Sequence, residues 1–240
     1  MSREIFIEKK FIEKNLQYNI IYYDKMKTLN FHIITKDFDP DEEEKYLKYL
    51  VNVAVLSSAD ILQLRNKKIS ARGLYRSAVF IKKTLESFGK DKKPMLIIND
   101  RPDIAYMAGA DGVHLGQDDL PAAYVKKIFP GLIIGVSAEN IGQAVKAEKD
   151  GADYIGIGPA YHTGSKADAG ALMARETMEE ICGAVNIPVI AIGGINEFNI
   201  KDFAPLGVNG IAIIGAVSNA ENPLETALKF RKNIDKYLKQ

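Results

Sequence analysis

Residues 95–119 read MLIINDRPDIAYMAGADGVHLGQDD, in which two aliphatic runs, MLIIN (95–99) and GVHLG (112–116), are separated by a stretch long enough for a helix. Runs that are apolar on both faces and alternate with helical segments indicate parallel strands covered by helices, not a half-exposed antiparallel sheet. The same unit recurs on both sides. FHIIT (31–35) and ILQLR (61–65) precede it, and LIIGV (132–136), DYIGIG (153–158), PVIAIG (188–193) and GIAIIG (210–215) follow. Segments such as GQAVKAEKD and ENPLETALKFRKNIDKYLKQ have helical patterning between and after the runs. Eight βα units close most simply into a single α/β domain, a (β/α)8 TIM barrel.

An open doubly wound sheet would carry a glycine-rich turn after its first strand. The residues after FHIIT are KDFDPDEEEKY, without glycine, which favours the barrel. Residues 31–240 are assigned to the barrel catalytic domain and residues 1–30 to an N-terminal extension, whose YNIIYY is suited to a short strand or to covering the barrel's open bottom.

The 240 residues carry 32 Lys+Arg against 31 Asp+Glu, a net charge of +1, so no bulk electrostatic case exists for a nucleic-acid or membrane-surface partner. Cys182 is the single cysteine, which excludes an intrachain disulfide framework and a multi-cysteine zinc site. The first residues interleave charge with single apolar residues, and no stretch approaches the roughly 20 apolar residues that span a bilayer. A cytoplasmic protein is expected.

The residues suited to chemistry fall at the C-terminal ends of the runs, where a barrel places its active-site loops. Asn99-Asp100-Arg101 follows the third run and Gln117-Asp118-Asp119 the fourth, so neighbouring strand ends each present a carboxylate. One Asp from each loop suits Mg²⁺, which keeps several waters and takes its remaining ligands from one or two carboxylates and substrate phosphate. The competing reading of Asp119 is a cap for the helix beginning in LPAAYVKKIF. Arg65 and Lys67 leave the second run and Lys166 lies after the sixth, providing the fixed cations that a diphosphate leaving group needs. Lys68, Arg72 and Arg76 read as solvated. Glycines end the seventh and eighth runs, in IAIGGIN and AIIGAV, where this fold commonly binds phosphate through backbone N–H groups. No GxSxG occurs, and His32, His114 and His162 have no metal-ligand spacing. Two anionic subsites point to a two-substrate transferase more naturally than to a hydrolase.

Over residues 31–235 these motifs resemble the thiamine phosphate synthase family. The matching strings are QLRNK (63–67), NDRPDIAYMAGADGVHLGQDD (99–119), GVS (135–137), GADYIGIGP (151–159), the T-x-S-K of 163–166, IPVIAIGGI (187–195) and GVNGIAII (207–214). The resemblance implies a Mg²⁺-dependent enzyme that joins hydroxymethylpyrimidine diphosphate to thiazole phosphate, giving thiamine phosphate and diphosphate. It implies Mg²⁺ on Asp100 and Asp119, and diphosphate contacts from Arg65, Lys67, Asn99 and Lys166. Ser137 would touch the pyrimidine diphosphate and Gln63 the pyrimidine. Thr163 and Ser165, with backbone groups at Gly194, Ile214 and Gly215, match the thiazole phosphate positions. The family mechanism is dissociative and needs no protein nucleophile, and the family habit suggests a homo-oligomer.

Three positions depart from the family pattern. Glu139 stands where the family often has His, Gly215 where it usually has Ser, and Tyr161-His162 in its proline-containing segment. A TenI-like thiazole tautomerase shares the barrel but typically lacks the Asn-Asp pair and carries that His. A non-catalytic thiazole-phosphate-binding pathway protein is the remaining alternative.

Overall fold

The computed structural model describes residues 29–89, 93–164 and 171–238, so YNIIYY, Ser165 and Lys166 lie outside the described residues. Eight parallel strands close into a barrel in chain order, the first pairing with the last. They are β1 (Phe31–Ile34), β2 (Ile61–Leu64), β3 (Met95–Asn99), β4 (Gly112–Leu115), β5 (Ile133–Ala138), β6 (Tyr154–Ile157), β7 (Val189–Ile192) and β8 (Gly210–Ile213). Each coincides with one of the eight runs.

The outer layer comprises α1 (Glu43–Leu56), α2 (Ala71–Glu86), α3 (Pro102–Met107), α4 (Ala122–Ile128), α5 (Ile141–Lys149), α6 (Arg175–Ala184), α7 (Gly215–Ser218) and α8 (Pro223–Tyr237). Side chains start three of them, with Ser70, Asn140 and Asn222 accepting the N–H of Gly73, Gln143 and Glu225. The connection from β7 to β8 departs from the expected βα rhythm, since it is a 3-10 segment, Ile200–Leu206. Pro205 cannot donate within it and Gly207, at φ 77°, ends it, so this short connection never lengthens into an α-helix.

Alternation along the strands divides the apolar residues between two cores. Phe31, Ile33, Leu62, Leu64, Ile98 and Ile155 face outward to the helices. Ile34, Ile61, Ile97, Ile133, Tyr154 and Ile190 fill the barrel. Leu29 belongs to the inner set and Asn30 is also buried, so the barrel's contacts begin ahead of β1.

At the bottom, one device occurs four times. Asp60, Asp111, Asp153 and Asn209 immediately precede β2, β4, β6 and β8. Each donates its backbone N–H to the carbonyl at the start of the preceding strand: Phe31, Leu96, Ile134 and Val189, at 2.9, 2.8, 2.7 and 2.9 Å. Its side-chain oxygen accepts the N–H of that same residue, at 2.9, 2.8, 2.8 and 2.8 Å. The three carboxylates also pair with cations from the helices: Arg231 with Asp60, Lys82 with Asp111 and Lys126 with Asp153. No described helix is long and apolar enough to cross a membrane.

Asp153→Ala leaves the Ile134 N–H without its side-chain acceptor and Lys126 without its partner, at a cost of about 1–3 kcal/mol. Urea denaturation is expected to show a lower midpoint with an unchanged slope.

Candidate active site

Each strand delivers its last inward residue to the C-terminal mouth, and the β2, β3 and β4 loops assemble a cluster of opposed charges there. Arg65 is only 4% exposed, with its guanidinium 3.4 Å from Asp37, so it is a buried, paired cation and not a solvated one. Thr35 fixes the backbone beneath it, accepting the Arg65 N–H and donating to the Arg65 carbonyl. Asp37 also accepts the backbone N–H of Lys67, whose ammonium lies 3.8 Å from Asp100. Lys68, Arg72 and Arg76 are exposed.

Asp100 sits at φ 62°, a left-handed conformation that Asp tolerates better than most residues, and its N–H is tied to the His114 carbonyl at 2.8 Å. That bend carries its carboxyl into hydrogen-bond contact with Asp119. Burial, then the Asp119 charge and hydrogen bond, push Asp100 up to about 6, while Lys67 and Arg65 oppose the rise. Asp119 does not cap α4: Pro121 occupies that position, and the Asp119 carboxylate instead accepts the Gly116 N–H at 2.6 Å. Asn99 ends β3 half-buried, and Arg101 turns aside to form two bonds with Asp103. No group of three or more His, Cys, Asp or Glu suited to a metal occurs among the described residues, so any ion would rest on the two carboxylates and on ligands from solvent or substrate.

Beside this cluster a cavity of about 210 Å³ enters the barrel. Gln63, Ser137, Thr163, Gly194, Ile214 and Gly215 all line it, so the structure brings these six sequence-predicted residues together. Asn99 pairs with His114 of this lining and leads into Asp100, and Arg65 and Lys67 follow Gln63 out of β2, while Lys166 and Ser165 lie outside the described residues. Gly194 has φ 62°, and a Cβ there would meet the His162 carbonyl and the Tyr161 Cβ at 2.6 Å, so both backbone and space demand glycine. The chain leaves β8 through Ile214 into α7, with Gly215 as its first residue.

The cavity floor holds residues to which sequence reasoning assigned no role. His114 bonds Tyr154 through Nδ1 and Ser137 through Nε2, both at 3.0 Å. The Gln63 amide lies close enough to the same Tyr154 hydroxyl to oppose the rise in its pKa that burial causes. His32 packs edge-on against Tyr154, donates to the Leu29 carbonyl at 3.3 Å, and is lowered by burial to about 4. Alternation was the available signal: His32, Gln63, His114, Ser137 and Tyr154 all occupy inward positions of their strands. Glu139 lines the cavity mouth from the end of β5.

A closed parallel barrel that gathers acids, cations and a glycine-rimmed cavity at the C-terminal ends of its strands defines an enzyme of the (β/α)8 class. Residues 31–217 match the family described as thiamine monophosphate synthase. The thiamine-phosphate synthase of Clostridium botulinum (strain Eklund 17B / Type B) is 42% identical over 191 residues, 79% of this chain and 87% of that protein. The chain belongs to the thiamine monophosphate synthase family and is a transferase. The thiamine-phosphate synthase of Methanococcus maripaludis (strain C5) is 37% identical over 218 residues, 91% of this chain and 99% of that one. Among solved structures, thiamine phosphate pyrophosphorylase from Pyrococcus furiosus matches with a TM-score of 0.75 at 32% identity, covering 90% of this chain and 99% of that chain.

Because the folded protein holds Asp100 at about 6, against 3.8 for an ordinary Asp, folding favours its protonated form. In metal-free protein the group therefore lowers stability as pH rises from about 4 through about 6, with no further loss above. Asp119→Asn removes the like charge but not the burial that is the larger cause. Carboxyl ¹³C titration is expected to show the Asp100 midpoint lowered by this change yet still above 3.8.

Proposed function

We propose that the chain condenses hydroxymethylpyrimidine diphosphate with thiazole phosphate to give thiamine phosphate and diphosphate. The observation that carries this reading is the meeting of Asp100 and Asp119, from two separate loops, beside Lys67 and Arg65 at the rim of the cavity. Two carboxylates drawn together against their mutual repulsion suit a divalent cation, and the cations around them suit a polyanion. Asp100 and Asp119 would hold Mg²⁺, which when bound neutralises charge on the leaving diphosphate. Arg65, Lys67 and Asn99, joined by Lys166, hold the diphosphate oxygens, with Ser137 at the junction with the cavity. Gln63 receives the pyrimidine inside the barrel. Thr163 and Ser165, with backbone groups at Gly194, Ile214 and Gly215, receive the thiazole phosphate.

In the reaction the carbon–oxygen bond breaks and its electron pair leaves with the diphosphate. The aminopyrimidine delocalises the cation so formed, and the thiazole nitrogen lone pair closes the new carbon–nitrogen bond. No proton need be removed, so the step asks neither a nucleophile nor a base of the hydrogen-bonded Ser137–His114 pair. The floor suits a cationic intermediate, because burial keeps His32 neutral at physiological pH and so adds no opposing charge. The protein's task is to hold donor and acceptor in line and to stabilise the leaving group. Gly215 supplies no hydroxyl to the acceptor phosphate, so that subsite relies on Thr163, Ser165 and backbone donors. An isomerase of the tautomerase type has no use for the Asp100, Asp119 and Lys67 cluster.

Purified protein given both substrates is expected to release diphosphate and thiamine phosphate in equal amounts only when Mg²⁺ is present. Asp100→Ala and Lys166→Ala are each expected to reduce kcat by about 10²-fold or more, the scale for losing a group that stabilises transition-state charge. Circular dichroism should show both folded. Unchanged kcat in either variant, or no diphosphate release by folded wild-type protein, would overturn the assignment.

A further inference from the structure

The polar chain on the cavity floor runs from Gln63 through Tyr154 and His114 to Ser137, crossing β2, β6, β4 and β5. Tyr154 is 1% exposed and Gln63 3%. Such groups are held inside a barrel only if their hydrogen bonds are made. The strands have been emptied to admit them: a Cβ at Gly135 would lie 2.4 Å from the Tyr154 hydroxyl and 2.5 Å from His114 Nδ1, and one at Gly156 would lie 3.1 Å from the His114 ring. At its two ends Gln63 and Ser137 carry hydrogen-bonding capacity beyond these links, and both line the cavity together with the middle pair.

The middle of the chain links the polarity of its ends. Tyr154 has a single proton, which burial keeps on the oxygen, and a neutral imidazole offers one donor and one acceptor. Two settings satisfy every bond. In the first, the Gln63 N–H donates to Tyr154, Tyr154 to His114 Nδ1, and His114 Nε2–H to Ser137. The Ser137 hydroxyl is then a donor toward the cavity, and the Gln63 carbonyl an acceptor. In the second every bond is reversed, so that Ser137 accepts and Gln63 donates. A mixed setting leaves one buried group without a partner, at a cost of about 1–3 kcal/mol.

We propose that Tyr154 and His114 are positioning residues that couple recognition of the diphosphate to recognition of the pyrimidine ring. This rests on the synthase reading above. An anionic oxygen at Ser137 requires a donor there and so selects the first setting. That setting turns the Gln63 carbonyl toward the ring as an acceptor, which matches an exocyclic amino group and mismatches an exocyclic oxo group. The chain therefore accepts 4-aminopyrimidine diphosphates and rejects their 4-oxo counterparts, and it does so more strongly when the diphosphate is present.

The test is a binding cycle at pH 8, read by calorimetry on the full chain. The four ligands are the 4-amino and 4-oxo forms of 5-hydroxymethyl-2-methylpyrimidine, each as the alcohol and as the diphosphate with Mg²⁺. In wild-type protein the amino-over-oxo preference is expected to be about tenfold larger for the diphosphates than for the alcohols. In Tyr154→Phe, which keeps the ring, the preference is expected to be equal for both pairs. His114→Leu cuts the same chain one link away and is expected to do the same, so loss of folding in one variant does not remove the test. A purely structural role would weaken all four ligands alike. Equal preference in wild-type protein, or an undiminished difference in a folded variant, would overturn the coupling and leave the synthase assignment standing. Failure of the aminopyrimidine diphosphate to bind wild-type protein would overturn both.

Discussion

A barrel of parallel strands must fix the stagger of every neighbouring pair before it can close, because a slip by one residue exchanges the inward and outward faces of a strand. Four residues impose that stagger here. Asp60, Asp111, Asp153 and Asn209 each grip the first or second residue of the preceding strand by both its N–H and its carbonyl. The even strands are thus locked to the odd ones at the bottom, and the ladders propagate upward from there. The bonds are charge-assisted at three of the four positions, and helix cations offset the cost of burying those carboxylates.

That arrangement frees the opposite end. The mouth holds features that lower stability: a non-glycine residue at positive φ, two carboxyls in contact, and a buried guanidinium held on Asp37. A fold whose register depended on its upper loops could not accommodate them together. With the register fixed below, the loops above vary without altering which side chains point inward, and the strained groups persist because the surrounding barrel determines their positions.

The fold was legible because it rests on patterns repeated over many residues. Eight aliphatic runs specified eight strands, and the polar residues at their ends marked the rim. Single-residue features were not legible. The bottom clamps recur at unequal spacings, as one Asp or Asn before every second strand, so no sequence period reveals them. The burial of Arg65 was not legible, because nothing in QLRNK indicates that Asp37, on another loop, would pair with it. Asp119 resembled a helix cap because it precedes a helix. Its actual partner, Gly116, lies just behind it in the turn. The rim residues could be named in advance because loop position and charge suffice to suggest a polyanion site.

The floor was missed for a different reason. His114 and Tyr154 stand in strands that otherwise read as apolar, and a lone His in such a strand is ordinarily a satisfied core residue. It is one here, in that both ring nitrogens are bonded. What separates this pair from a merely satisfied one is the character of their partners. Had the chain ended on backbone carbonyls its polarity would be fixed, because a carbonyl can only accept. It ends instead on an amide and a hydroxyl, groups that donate and accept with equal ease, and both face the cavity. Full satisfaction therefore leaves one binary choice open, and a ligand that enters the cavity can make it.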